Sequence, residues 1–338
     1  MTYNFNADIA KHIIDTNKGW FLDGLAGTGK TMLVNELVKL INNDNQIKRL
    51  APTNVSAILI NGETIDKFSH SYLNNSKAIR KLQNIQYIFI DEVSMMRELF
   101  YSIFISIKYK YPHIKFIISG DFNQLEPVKD RKKFNYEHSR ALYELVDGNK
   151  LLLKLCRRSD DKLFNLCDKI LNNKLYSVQD LCSTKTSYKN LCHTNKKRKE
   201  INQSCMTRYL NKNPRLRNLS IQELSYDKNT QNYTLCKGMP LISRVNQQST
   251  KLVNNEMFEC KEINDTSITV FNKEKELIIP VEKFNKLFML AFCITTHKSQ
   301  GLSLSEEYCI HEFQKMTKKL KYVSLSRSTK YENINLVP

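Results

Sequence analysis

The chain has 338 residues and sets 52 Lys and Arg against 34 Asp and Glu, a formal net charge of +18. That length gives room for about two to three domains with real cores, and the cationic excess favours a polyanionic partner, nucleic acid first. The nine cysteines all lie at or after Cys156, with no C-x-x-C pair and no zinc spacing, and no apolar run nears the ~20 residues a bilayer span needs, so a disulfide scaffold, a zinc module and a membrane partner are set aside and a soluble, intracellular protein with free thiols is expected.

A short helix is predicted within 1–19, with Ile9, His12, Ile13 and Ile14 near one face, before a turn at Asn17-Lys18-Gly19. Trp20-Phe21-Leu22 reads as a strand and Met32 to Ile41 as a helix. Between them runs Gly24-Leu25-Ala26-Gly27-Thr28-Gly29-Lys30-Thr31, with the G-x-x-x-x-G-K-[ST] spacing of a phosphate-binding loop. Glycines there allow positive φ and bring backbone N–H groups close to phosphate oxygens. Lys30 supplies a point charge toward the β/γ-phosphates, and the Thr31 hydroxyl is a Mg²⁺ ligand type. A dinucleotide fold fits less well, because G-x-G-x-x-G needs a glycine where Thr31 or Met32 stands.

Lys48 to Ala51 is a second strand, closed by Pro52-Thr53-Asn54 before a helix from Val55 to Ile60. After a polar segment, Tyr87-Ile88-Phe89-Ile90 has the continuous apolar character of a buried parallel strand and ends in Asp91-Glu92. Downstream of a phosphate loop such a pair divides its work: Asp91 holds Mg²⁺ and Glu92 orients and polarises the attacking water. Met95 to Tyr109 reads as a helix and Phe116-Ile117-Ile118 as another strand, leading into GDFNQLEPV, where Gln124 is either a γ-phosphate contact or an ordinary loop residue. Past Gly148, Leu151-Leu152-Leu153 starts a strand, Arg157 and Arg158 follow, and Lys162 to Leu171 is helical. From about Asn202 to Phe284, short alternating runs separated by turns at Asn254-Asn255 and Asn272-Lys273 suggest a small antiparallel barrel inserted in a second α/β domain. The charge runs Lys196 to Lys199 and Lys318 to Lys321 read as solvated faces or phosphate-tracking surfaces.

Taken in order, GLAGTGKT, APTNVSA, IFIDEVSMM, GDFNQLEPV, LCRRSD, ITTHKSQGLSL and YVSLSRS resemble motifs I, Ia, II, III, IV, V and VI of the superfamily 1 DNA helicases of the Pif/RecD type. The resemblance implies an α/β fold of two RecA-like P-loop domains with parallel sheets and a small antiparallel β-barrel inserted in the second. It sets the first domain at 1–148, the second at 149–201 with 285–338, and the barrel at 202–284. The implied activity is ATP-dependent, 5′-to-3′ movement on single-stranded DNA, with hydrolysis at the interface of the two domains and duplex junctions as further substrate. ATP and Mg²⁺ are the implied cofactors, no membrane is involved, and oligomerisation is not required. Gly24, Gly27, Thr28, Gly29, Lys30, Thr31 and Gly301 would hold nucleotide, and Thr31 and Asp91 the metal. Lys30, Glu92, Gln124, Arg157 and Arg327 would act in catalysis, the two arginines as fingers reaching across the cleft, with Arg158 the alternative to Arg157. Thr53, Asn54, Thr64, Thr296, His297 and Lys298 would follow the strand.

Three positions depart from the pattern. The first glutamine is Gln46, so no adenine-reading glutamine precedes the phosphate loop; T-I-H becomes Thr64-Ile65-Asp66; and the wedge region between Phe68 and Tyr87 is short, which implies weak unwinding. The alternatives are a viral-type superfamily 1 RNA helicase, with RNA as the strand, and a nucleic-acid-binding scaffold with a decayed ATPase.

Overall fold

Tyr87 to Ile90 is buried at every position and lies inside a sheet covered on both faces. The structure is a computed structural model that describes residues 5–127, 130, 135–247, 250 and 252–338. Met1 to Asn4 of the predicted first helix and Val128 of the GDFNQLEPV segment fall outside the described residues. The chain divides into two units, Met1–Phe164 and Asn165–Pro338.

In chain order the first unit contains α1 (Phe5–Asp15), β1 (Trp20–Asp23), α2 (Lys30–Ile41), β2 (Ile47–Ala51), α3 (Asn54–Leu59), β3 (Glu63–Thr64), α4 (Ile65–Asn74), α5 (Ser76–Lys81), β4 (Tyr87–Ile90), α6 (Glu98–Lys110), β5 (Lys115–Gly120), α7 (Arg140–Leu145) and β6 (Lys150–Leu152). Its six strands form one parallel sheet in the order β3-β2-β4-β5-β1-β6. Alternate residues of the central strands face opposite layers, as the strand period requires. Ile88, Ile90, Phe116 and Ile118 pack with α6, whereas Tyr87, Phe89 and Ile117 pack with Leu33, Val34 and Leu37 of α2. In α6, Phe100, Phe104 and Ile107 recur at helical spacing and are buried, which fixes its inner face. Phe104 is fully buried between the rings of Phe68 and Phe116, with centroids 6.0 and 5.8 Å away. Replacing Phe104 by Ala is therefore expected to cost ~3–5 kcal/mol of stability, measured as a shifted urea midpoint.

The strand expected to open the second domain belongs to the first. β6 lies at the sheet edge, where Phe21, Leu22 and Asp23 pair in parallel with Lys150, Leu151 and Leu152. The division between units falls inside α8 (Asp161–Leu171), later than the expected 148/149 boundary. Backbone pairing to β1 decides this, and an apolar run does not reveal which sheet it will join.

The second unit continues with β7 (Asn190–Cys192), α9 (Asn195–Lys212), β8 (Asn218–Ile221), β9 (Tyr233–Cys236), β10 (Pro240–Ser243), β11 (Met257–Ile263), β12 (Ser267–Phe271), β13 (Glu276–Pro280), α10 (Val281–Leu287), β14 (Phe288–Leu290), β15 (Cys293–Thr295), β16 (Tyr308–His311), α11 (Lys318–Leu325) and β17 (Ile334–Val337). A four-stranded parallel sheet runs β15-β7-β16-β17. Side-chain amides fix it: Asn202 on α9 both donates to Cys293 O and accepts from Cys293 N at 3.0 Å. Asn190 donates to Phe292 O at 2.9 Å and meets His311 Nε2 at 3.0 Å.

Between β7 and β15 lie the hairpin β8-β9 and an antiparallel sheet in the order β13-β12-β11-β10-β14. The predicted turns hold, with Asn255 at φ 67° and Asn272 N donating to Lys275 O. The expected limits 202–284 move at both ends. Residues 202–212 continue α9, and β14 extends the antiparallel sheet past 284 by pairing with β10. Among the described residues this sheet is open, with β13 and β14 at its edges. All nine cysteines are free thiols, and among the described residues no helix is long and apolar enough to cross a membrane.

Candidate functional site

The loop after β1 is shaped by residues that tolerate positive φ. Gly27 and Gly29 sit at φ 85° and 93°, and a Cβ on Gly27 would come within 2.9 Å of Arg158 Cβ. Gly29 is the N-cap of α2, so the loop delivers its backbone N–H groups at a helix start, the usual setting for phosphate. Thr28 is buried and donates to Leu25 O at 2.8 Å, closing the loop on itself. Lys150 at the sheet edge pairs with Asp23 Oδ2 at 2.8 Å, while Asp23 Oδ1 accepts from Gly24 N at 2.7 Å.

Lys30 Nζ donates to Gly24 O at 2.5 Å and to Leu25 O at 3.0 Å. Burial pushes its pKa down, opposed by Asp121, Asp91 and Asp23 and assisted by Arg158. The ammonium thus lies under the loop within an acidic surround. Thr31 Oγ1 donates to Asp91 Oδ2 at 3.2 Å, and Asp91 Oδ1 accepts from Ser119 Oγ at 2.6 Å. Two hard oxygen donors, a hydroxyl and a carboxylate, therefore meet beside the phosphate loop. This set suits Mg²⁺, which takes one or two protein ligands and completes its shell with phosphate and water. No group of three or more His, Cys, Asp or Glu among the described residues gathers into an all-protein metal cage.

Glu92 follows at φ 53°, a left-handed conformation that non-glycine residues seldom adopt and that functional sites often hold. Its Oε2 accepts from Ser56 Oγ at 2.5 Å. Asp121, buried after β5, accepts from Asn123 N at 3.0 Å, and Gln124 Nε2 reaches its Oδ2 at 3.5 Å. Ser56, Ser119 and Asp121 were not singled out in the sequence. Ser119 interrupts the apolar run of β5 and Ser56 stands three residues after a helix N-cap, signals too common to select them.

Arg157 corrects an expectation. It lies in the unit that carries the phosphate loop, where Arg157 N donates to Gly27 O at 2.8 Å and its Cδ approaches the Cβ position of Gly29 at 3.2 Å. It needs no domain crossing to reach this loop, because β6 returns the chain to β1 just before it. Arg327 is buried in the second unit. Its Nε donates to Val323 O at 3.0 Å and its Nη1 to Leu302 O at 3.2 Å, which ties α11 to the segment that contains Gly301 at φ 82°.

The proposed strand contacts divide. Thr53 and Thr64 are N-caps of α3 and α4, accepting from Ser56 N and Lys67 N at 3.1 and 3.2 Å, and Asn54 opens α3. Asp66, the acid in place of histidine, pairs with Arg97 at 2.7 Å. The short region after Phe68 is filled by the rest of α4 and by α5. In the second unit Thr296 is fully buried and donates to Cys192 O, so its side chain is withdrawn from a surface strand. His297 is exposed beside it, yet partial desolvation of its ring by the surrounding protein, with His193 nearby, lowers its pKa. Lys298 is half-buried; burial, with Arg198 and Arg244 nearby and Asp227 opposing, brings its pKa to about 8. The charge run on α9 is not uniformly solvated, since Arg198 is buried and donates to Asn195 Oδ1 and Asn229 O.

The family model described as PIF1-like helicase matches residues 4–144. The ATP-dependent DNA helicase Pif1 of Campylobacter jejuni is 27% identical over 91% of this chain and 86% of its own length. Saccharomyces cerevisiae PIF1 is 31% identical over 51% of this chain and 22% of its own. Among solved structures, a Pif1 helicase studied for DNA unwinding at forked duplex DNA has a TM-score of 0.78 at 20% identity, covering 99% of this chain and 92% of its own. Pif1 from Bacteroides, in complex with ADP-AlF3 and single-stranded DNA, has a TM-score of 0.73 at 20% identity with the same coverage. The Candida albicans Pif1 helicase has a TM-score of 0.73 at 17% identity, covering 100% of this chain and 95% of its own. These likenesses place both α/β units in one known fold.

Proposed function

We propose that this chain, which belongs with the Pif1-type superfamily 1 helicases, is an ATP-dependent DNA helicase that hydrolyses ATP at the loop Gly24–Thr31 and moves 5′ to 3′ on single-stranded DNA. The observation that carries the reading is the convergence of Lys30, Thr31 and Asp91 at one loop, with Thr31 Oγ1 and Asp91 Oδ2 3.2 Å apart and Glu92 next in the chain. Loop N–H groups and Lys30 bind the triphosphate. Thr31 and Asp91 would hold Mg²⁺, which when bound would neutralise charge on the phosphates. Glu92 orients the attacking water and takes its proton. Gln124 reports on the γ-phosphate, and Arg157 and Arg327 stabilise charge that develops on it. Gly301 contributes to the nucleotide site from the second unit, with hydrolysis between the two units.

Thr53, Asn54, Thr64, His297 and Lys298 line the strand's path, gripping backbone rather than bases, so binding is steeply salt-dependent and largely sequence-independent. Thr296 supports that segment from inside. Duplex junctions are a further substrate beside single-stranded DNA, and oligomerisation is not required. The deciding experiment is strand displacement on 5′-tailed, 3′-tailed and blunt duplexes, with ATPase stimulation by matched DNA and RNA. Displacement of the 5′-tailed duplex with DNA stimulation is expected; stimulation by RNA alone would overturn the choice of strand.

Lys298 adds a pH signature. Its folded pKa of about 8 lies below the ordinary lysine value of 10.5, so it loses its charge as pH rises through about 8, well before a lysine with the ordinary value would. Strand affinity at constant salt is expected to fall between pH 7 and 9, and Lys298→Arg is expected to abolish that fall, because arginine stays charged throughout. Fluorescence anisotropy of a labelled oligonucleotide checks both.

A further inference from the structure

The carboxylate of Glu92 is tied to a segment that the proposed function puts on the DNA path. Its Oε2 accepts a hydrogen bond from Ser56 Oγ at 2.5 Å, and Ser56 Oγ lies 2.8 Å from Thr53 Oγ1. The direction of the chain follows from counting hydrogens. An ionised carboxylate only accepts, and each hydroxyl has one hydrogen to give. Ser56 has committed its hydrogen to Glu92, so Thr53 is the donor in the other link. Thr53 Oγ1 also accepts from Ser56 N at 3.1 Å, which fixes the two residues as cap and first turn of α3. Ser56 is 3% exposed, so water does not compete for its hydroxyl, whereas Thr53 is only half-buried and can meet a ligand.

We propose that Ser56 is a positioning residue that restrains Glu92 until a DNA strand binds at Thr53. A backbone phosphate oxygen is a stronger acceptor than a serine hydroxyl. When it takes the Thr53 hydrogen, Ser56 loses the donor that polarises its own hydroxyl, and its hold on Glu92 weakens, because linked hydrogen bonds strengthen one another. The carboxylate of Glu92, at the turn after β4 with φ 53°, then reorients more readily toward the attacking water. No covalent bond is made or broken in this step; the Thr53 hydroxyl hydrogen changes acceptor, and the Ser56–Glu92 hydrogen bond weakens. The signal covers one helical turn and stays within the first unit. The inference rests on the proposed roles of Glu92 as base and Thr53 as strand contact.

The experiment compares ATP turnover without and with saturating single-stranded DNA in the parent and in Ser56→Ala. The KM for ATP and the strand affinity of the nucleotide-free protein are measured alongside. Alanine is the best helix former and removes only one oxygen, so the variant should fold, with an unchanged melting temperature as the check. DNA-free kcat is expected to rise about tenfold, as for loss of one hydrogen bond to a charged group. The stimulation ratio is expected to fall toward one, while KM and strand affinity stay at parent values. Ser56→Cys, whose thiol is a weaker donor, is expected to give an intermediate ratio. An unchanged ratio overturns the coupling, whether both rates match the parent or both fall alike, since Ser56 would then only cap α3 or only support chemistry. A parent that hydrolyses ATP without stimulation by DNA overturns the proposed function itself and the coupling with it, so the two failures are distinguishable.

Discussion

Glu92→Gln is expected to lower DNA-stimulated ATP turnover by ~10²–10⁴, the usual worth of a positioned general base. The amide keeps the size of the carboxylate and can still accept from Ser56 Oγ, which now donates to Glu92 at 2.5 Å, so the turn at φ 53° has no reason to rearrange. What it loses is the ability to take a proton. ATP and DNA binding should therefore remain, and the defect should lie in kcat. Lys30→Ala is expected to fail differently. Lys30 is the point charge under the loop, within reach of Gly24 O and Leu25 O, and its removal weakens nucleotide binding as well as turnover. Phosphate release at saturating oligonucleotide, with the affinity of a labelled nucleotide, separates the two. If either variant hydrolyses ATP at the parent rate, the loop and Asp91-Glu92 are not the active site.

Arg157→Ala and Arg327→Ala form the second large pair. An arginine that stabilises charge on a transferring phosphoryl group is worth ~10³–10⁵ in turnover, so both variants are expected to lose rate far more than ATP affinity. Their stabilities should diverge. Arg157 is exposed, and its backbone N–H, which bonds Gly27 O, survives the substitution, so the melting temperature should not move. Arg327 is buried, with its guanidinium bonded to Val323 O and Leu302 O; alanine leaves those carbonyls without their donor. Hydrogen bonds from a charged group contribute ~1.5–3 kcal/mol each, so a markedly lower melting temperature is expected. Arg158 is the internal control for the first arginine, because its Cβ stands over Gly27 and its charge helps to lower the Lys30 pKa. Full turnover in Arg157→Ala with a defect in Arg158→Ala would transfer the phosphate contact to the neighbour.

Much of the candidate site was legible because its chemistry is local. A phosphate loop is read from eight consecutive residues, since consecutive backbone N–H groups and one lysine make the contact. A buried parallel strand announces itself as an apolar run, so the apolar run Tyr87 to Ile90 by itself places Asp91-Glu92 at a strand end. Short alternating runs likewise gave the antiparallel region of the second unit. Where contacts join residues far apart in sequence, the pattern fell silent. Leu151 to Leu153 carries the same apolar signal in either sheet, and pairing to β1 alone assigns it. Thr296 looks like its polar neighbours in sequence, yet its hydroxyl is spent on Cys192 O.

From the sequence by itself came the nucleotide loop, the acidic pair, the order of motifs and the α/β class, because each is written in neighbouring residues or in the period of a single element. Only the tertiary structure decided that Arg157 lies against Gly27 and Gly29 in the same unit, that Arg327 is a buried brace between α11 and the Gly301 segment, and that Ser56 links Thr53 to Glu92. Those three arrangements depend on where β6, α11 and α3 return to their sheets or loops. The direction of a returning chain is set by long-range pairing and packing, which no window of sequence contains.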